Sequence, residues 1–291
     1  MKIAGLSLSL SWIFLAHALG QVSVEVVLDQ EQFLPNESLP AAVRISNQSG
    51  RALDLGNDDE WLGFSVESRD NFVVRKTGEA PVAGKFSLES SKIATKRVDL
   101  APFFSLTKPG RYKVTATVRI KGWDQVFSSQ PKFFEVITGT KLWEQEFGVP
   151  PPPDAANAAP EVRKYMLQQA SYLKQLRLYV RLTDASDSKT FRVVNAGPMV
   201  SVSRPEPQLD KSSNLHLLWQ TGARVYTYVV VNPDGELLVR RLYDMATNSR
   251  PRLQVDAEGK FSISGGARRV TRDDIPPEKP APSNESQPPK S

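Results

Sequence analysis

Leu106-Thr107-Lys108-Pro109-Gly110-Arg111-Tyr112-Lys113-Val114-Thr115-Ala116-Thr117-Val118-Arg119 decides the fold class of the first half of this chain. Tyr112, Val114, Ala116 and Val118 fall on one side and Arg111, Lys113, Thr115, Thr117 and Arg119 on the other, the period-two pattern of a strand with one dry face. Pro109-Gly110 turns the chain into it. The same alternation extends outward from this run. Ala41, Val43 and Ile45 alternate with Ala42, Arg44 and Ser46, and Leu62, Phe64 and Val66 alternate with Gly63, Ser65 and Glu67. From Gln21 to about Ile137 such runs are separated by Pro, Gly, Asn and Asp, which predicts an antiparallel β-sandwich over 21–137.

A tyrosine just after a Pro-Gly turn at the start of a late strand resembles the tyrosine corner of immunoglobulin-like sandwiches, whose hydroxyl ties a loop to the strand. Residues 106–114 are similar to the late strand of many bacterial immunoglobulin-like modules, some of them of a proteinase-inhibitor type. The resemblance covers about 115 residues and implies a scaffold in which Pro109, Gly110 and Tyr112 are structural. No residue-level motif here carries an inhibitory activity over.

Val149-Pro150-Pro151-Pro152-Pro153-Asp154 follows Trp143 and Phe147 and leads into an Ala/Asn segment, so 138–159 reads as a stiff Pro/Ala-rich linker. Residues 160–175 read as a short helix, with Pro160 in the first turn and Val162, Met166, Ala170 and Leu173 recurring at three to four. A β-run from Leu176 to Leu182 follows. The strongest pattern beyond it is an internal repeat. Ser203-Arg204-Pro205-Glu206-Pro207-Gln208-Leu209-Asp210 returns as Ser249-Arg250-Pro251-Arg252-Leu253-Gln254-Val255-Asp256, a period of 46 residues. Each Asp opens a polar turn followed by an alternating run, Leu215 and Leu217 in one copy, Phe261 and Ile263 in the other. Between the copies lies a hairpin, 226–231 and 237–242, joined by Asn232-Pro233-Asp234-Gly235.

A unit of 40 to 50 residues made of short antiparallel strands with Asp-containing turns resembles a β-propeller blade. A closed ring takes at least about four blades, and 176–270 holds at most two, so an open blade-like sheet is expected over 160–270. Its exposed face would be covered by the 160–175 helix and the sandwich, or by a second copy of the chain. The Pro-, Ser-, Glu- and Lys-rich tail 271–291 is expected to be disordered. The fold class is thus mainly β: an immunoglobulin-like sandwich, a short helix and an antiparallel blade-like sheet.

Residues 1–20 read as a signal peptide, with Lys2, an apolar stretch 3–15 and the small-residue triplets Ala16-His17-Ala18 and Ala18-Leu19-Gly20. The expected location is therefore periplasmic or extracellular, with no membrane span after cleavage. The chain has no cysteine, which fits a bacterial envelope better than a disulfide-dependent extracellular space. Three Asn-x-Ser triplets, at Asn36, Asn47 and Asn284, carry little weight. With 37 Lys and Arg against 32 Asp and Glu, the charge is mildly basic and scattered rather than striped, so no nucleic-acid partner is expected.

The same composition narrows the chemistry. Beyond His17 the only histidine is His216, which removes Cys/His nucleophile pairs and zinc sites needing two such ligands. Neither a G-x-S-x-G elbow nor an alternating acidic calcium loop occurs after residue 20. Ser129-Gln130-Pro131-Lys132, Ser212-Ser213-Asn214 and Lys76-Thr77-Gly78 echo the motifs of penicillin-interacting serine enzymes, but in the wrong chain order. Asp58, Asp59, Glu60, Asp210 and Asp256 are the acids available to a hydrolase, although the repeat-equivalent turns of Asp210 and Asp256 favour bonding to neighbouring amides. Trp219, Tyr226, Tyr228 and Tyr243, with His216, are candidate binding residues if they lie on an exposed sheet face, and core residues otherwise. The reading is an exported, non-enzymatic binding or scaffolding protein of the cell envelope, without cofactor or metal, engaging a protein or glycan, with a homo-oligomer through the blade-like sheet as a further option. The alternatives are an envelope hydrolase or a protease inhibitor acting through the sandwich.

Overall fold

The computed structural model describes residues 22–69, 72–82, 84–149, 161–202 and 204–277. The signal-peptide segment, residues 150–159 of the expected linker, Pro160 of the expected helix, Ser203 of the repeat and residues 278–291 of the expected tail lie outside these residues. The fold is mainly β, and among the described residues the only helical elements are two short 3-10 turns. No helix among them is long and apolar enough to cross a membrane.

The first ten strands are β1 (Val22–Leu28), β2 (Gln32–Phe33), β3 (Pro40–Asn47), β4 (Leu53–Leu55), β5 (Leu62–Ser68), β6 (Phe86–Leu88), β7 (Ile93–Asp99), β8 (Gly110–Ile120), β9 (Gln125–Ser128) and β10 (Lys132–Val136). One sheet runs β1-β3-β7 and the other β2-β10-β8-β5, with β9 also paired to β8. The alternating positions close on each other: Val22, Val24, Val26, Val43 and Ile45 from one sheet share a core with Leu62, Phe64, Val66, Tyr112, Val114, Ala116 and Val118 from the other. The Tyr112 hydroxyl donates to the Lys108 carbonyl at 2.6 Å, tying the Pro-Gly turn to β8, and its ring stacks on Phe134.

Two corrections fall between the sandwich and the repeat. Residues 140–149, expected as linker, form β11 (Thr140–Val149), and residues 161–172, expected as helix, form β12 (Glu161–Tyr172). With β13 (Gln175–Asp184) and β14 (Thr190–Pro198) they make a four-stranded antiparallel meander in chain order. The cause is that a step of four is also an even number. Val162, Met166 and Ala170 share a face of a strand as readily as of a helix, and pairing to β11 and β13 on both edges decides for the strand. Tyr165 and Leu167, on the other face, are the residues fully buried against the next sheet.

The repeat region supplies β15 (Glu206–Leu209), β16 (Leu215–Gly222), β17 (Val225–Val231), β18 (Leu237–Asp244), the hairpin β19 (Arg252–Val255) and β20 (Phe261–Ser264), and β21 (Ala267–Arg269). The order β15-β16-β17-β18-β21 forms a second meander. Its inner face, with Leu215, Leu217, Trp219, Val229 and Val231, packs on Tyr165, Leu178, Val180 and Leu182 of the first. Its outer face, with Leu218, Tyr228 and Val230, is covered by Leu253, Phe261 and Ile263 of the β19–β20 hairpin. Each face thus has a cover from the same chain.

The tail is the remaining difference. Residues 271–277 are held rather than loose: the amides and carbonyls of Arg240 and Ile275 bond reciprocally at 2.9 and 3.0 Å, and Asp274, buried, pairs with Arg268 and accepts from Thr271. The segment extends the cover that β21 gives to the edge of β18, where unpaired backbone groups would otherwise face outward.

Candidate functional site

The five residues proposed for binding do not form one surface. Trp219 points into the core between the two meanders, 1 % exposed, with its indole N–H donating to the Pro198 carbonyl at 2.8 Å. His216, Tyr226, Tyr228 and Tyr243 occupy the opposite, outer face, because alternation along β16 and β17 sends neighbours to opposite sides. Tyr243 lies beside Tyr226 in the cross-strand register, half-buried beneath the Arg268 guanidinium.

His216 is the centre of a buried relay. The Asp210 carboxylate accepts from the Ser212 and Asn214 amides at 2.8 and 2.9 Å, from the Asn214 side chain, and from His216 Nε2 at 3.1 Å. With Asp210 ionised, Nε2 is the donor to it, and Nδ1 lies 2.6 Å from the Tyr228 hydroxyl. The Phe261 ring stacks on the imidazole, centroids 3.9 Å apart. Burial acts to push the Asp210 carboxyl up, but the bonds from Asn214, His216 and the two amides outweigh it and hold it below the usual carboxylate range. Burial pushes the Tyr228 hydroxyl up to about 12, so it stays protonated and available as the donor. The relay locks the β15–β16 turn to β17 under the β19–β20 hairpin. Asp256, in the second copy, accepts from the Lys260 amide at 2.7 Å.

The sequence reading did not single out the two repeat-equivalent arginines. Arg204, leading into β15, and Arg250, leading towards β19, line one cavity of about 350 Å³ together with Val202, Pro205, Glu206, Leu218, Gln220, Tyr226 and the edge of Trp219. Arg250 meets Glu206 only at 3.8 Å, while the other Glu206 oxygen accepts from the Leu253 amide at 3.4 Å. Arg204 is exposed and makes no ion pair among the described residues. The repeat itself carries the signal, since arginine is identical at both positions. Among the described residues no three acids or histidines are grouped as a metal would require.

These features define a mainly β protein with an arginine-flanked cleft at the junction of its repeats. No protein-family model matches the chain. No curated protein matches it either. A solved structure to which it is similar is Spo0M, a sporulation control protein from Bacillus subtilis, at 12 % identity over 61 % of this chain and 89 % of that one, with a TM-score of 0.31. That likeness is too slight to bear on fold or function.

Proposed function

We propose that this chain is an exported, non-enzymatic binding protein of the cell envelope whose ligand enters the cleft between Arg204 and Arg250. The observation that carries this reading is the convergence of two repeat-equivalent arginines on one open cavity that also offers a half-buried tyrosine and an apolar wall. Arginine and tyrosine are the side chains most often found at the energetic centre of interfaces, because each joins a large contact area to directed donors. The hydrolytic alternative has less support. Asp210 and Asp256 give their carboxylates to their own turns, and both ring nitrogens of His216 are engaged beneath Phe261. The test is capture from envelope extract with the wild-type chain beside Arg204→Ala/Arg250→Ala. Both side chains are surface-facing, so the variant should fold, and loss of a specific captured component is the expected result; identical capture profiles would refute the cleft.

A further inference from the structure

A second surface lies on the sandwich, where its outer sheet face meets the hairpin joining β12 and β13. Phe133 on β10 is 66 % exposed, and Leu173 at the hairpin tip is 58 % exposed. Both line a groove with Arg111, and the groove continues past Phe133 and Arg111 to Arg69. Phe133 contributes nothing to the core, which β10 supplies through Phe134 and Val136, and across the ladder it sits opposite Lys113 on an otherwise polar face.

The hairpin tip is built at a cost. Leu173 and Lys174 adopt φ of 53° and 110°, left-handed values that side-chain-bearing residues disfavour by about 1 to 3 kcal/mol each, and that Asn-Gly would accept more readily. The Leu173 N–H donates to Gln32 Oε1 at 3.2 Å, which fixes the strained tip against the sandwich beside Phe133. Leu173 belongs to none of the apolar cores among the described residues. Beyond Phe133 the groove is cationic, lined by Arg69, Arg111 and Lys113. Arg111 lies directly across from Glu135 yet forms no ion pair with it, and Glu135 accepts from the Gln32 side chain at 2.9 Å. Arg69 forms no ion pair among the described residues either.

We infer that this groove docks an extended segment of a partner protein that carries a carboxylate next to an apolar side chain, the apolar group between Phe133 and Leu173 and the carboxylate on Arg111 and Arg69. An exposed aromatic and an exposed aliphatic group flanked by two arginines, with Lys113 at the Arg69 end, offer an apolar contact beside positive charge. An anionic bilayer is the poorer occupant, since Glu31 and Glu135 line the same groove and would face its headgroups, whereas a single carboxylate can sit at the Arg69 end, which neither glutamate lines.

The experiment is selection of a phage-displayed 12-residue peptide library on the immobilised full chain, counter-selected on Arg111→Ala/Phe133→Ser. Enriched peptides should place Asp or Glu within two positions of Leu, Ile or Phe. Synthesised singly, they should bind Phe133→Ser or Arg111→Ala at least tenfold more weakly and Arg204→Ala/Arg250→Ala as the wild type. Leu173→Asn separates binding from folding: it should raise the melting temperature by relieving the turn and still weaken the peptides. No enrichment over the counter-selected variant, or binding indifferent to these substitutions, overturns the proposal. So does co-sedimentation with phosphatidylglycerol vesicles that is lost in Phe133→Ser, which would assign the groove to a membrane surface.

Discussion

Glu37 is a carboxyl that the fold encloses without a full counter-charge. It lies between β2 and β3, accepting from the Leu34 amide at 2.7 Å and the Gln30 side chain at 3.1 Å. Burial pushes its carboxyl above the usual range despite those bonds and the nearby Arg177. A carboxyl raised on folding binds its proton more tightly in the native than in the unfolded chain, so its contribution is complete below the unfolded value of about 4.3 and is lost as pH climbs through the folded value. Glu37→Gln keeps the acceptor for Leu34 and removes the titration. Thermal melts of the two proteins between pH 4 and 7 should show the variant gaining on the wild type as pH rises; a constant difference would mean that folding does not shift the Glu37 carboxyl. No sequence pattern flags this residue: its hydrogen-bond partners Leu34 and Gln30 are near in the chain, but nothing local shows that it is buried, and Arg177 is distant along the chain. Tyr112, by contrast, could be assigned because its partner Lys108 lies four residues back, in the same turn.

Local signals of that kind explain which elements the sequence revealed. Period-two runs with clean alternation, such as β8, are unambiguous, whereas β12 satisfies two periods at once and its partner strand β11 is a mostly exposed edge. The turns follow the same logic. Asp184, Asn232 and Asp256 each accept from a backbone amide four or five residues on, at 2.7 Å, and Asp210 does so at 2.9 Å, yet only Asp210 and Asp256 sit in the repeated octapeptide. The Asn232 turn also requires Gly235, at φ 77°, whose amide donates to the Asn232 carbonyl. A Cβ added there would lie 2.9 Å from Cβ of Arg192 on the facing sheet. At Gly259, with φ 85°, the nearest atoms are the flexible end of the Lys211 side chain. Both alanine variants carry left-handed strain of about 1 to 3 kcal/mol, and Gly235→Ala should be the more destabilising in urea titration because its obstacle cannot swing aside. Equal midpoints would show that Arg192 moves freely.

At the scale of the whole molecule, four layers stack in chain order: the sandwich, the first meander, the second meander and the β19–β20 hairpin. The last two contacts are broad apolar cores, but the first is narrow. Leu34, at 1 % exposure, inserts among Ala170, Tyr179 and Val193 with Ile137 alongside, assisted by the Arg181 guanidinium on the Pro35 carbonyl and the Asn36 amide on the Thr190 hydroxyl at 3.3 Å. The Tyr179 hydroxyl and Arg181 Nε are buried there without a hydrogen-bond partner, so the polar part of this contact is incompletely satisfied and the apolar insertion supplies much of its strength. A buried leucine cut to alanine costs about 2 to 5 kcal/mol where the surroundings cannot collapse, and here they belong to separately stabilised sheets. Leu34→Ala should therefore weaken the coupling between layers more than either core, and calorimetry should resolve the sandwich and the stacked meanders as two transitions. If the variant still melts in one transition at a lower temperature, the two cores unfold together through the remaining hydrogen bonds. The groove at Leu173, which borrows one wall from each side of this junction, would then keep its shape without Leu34.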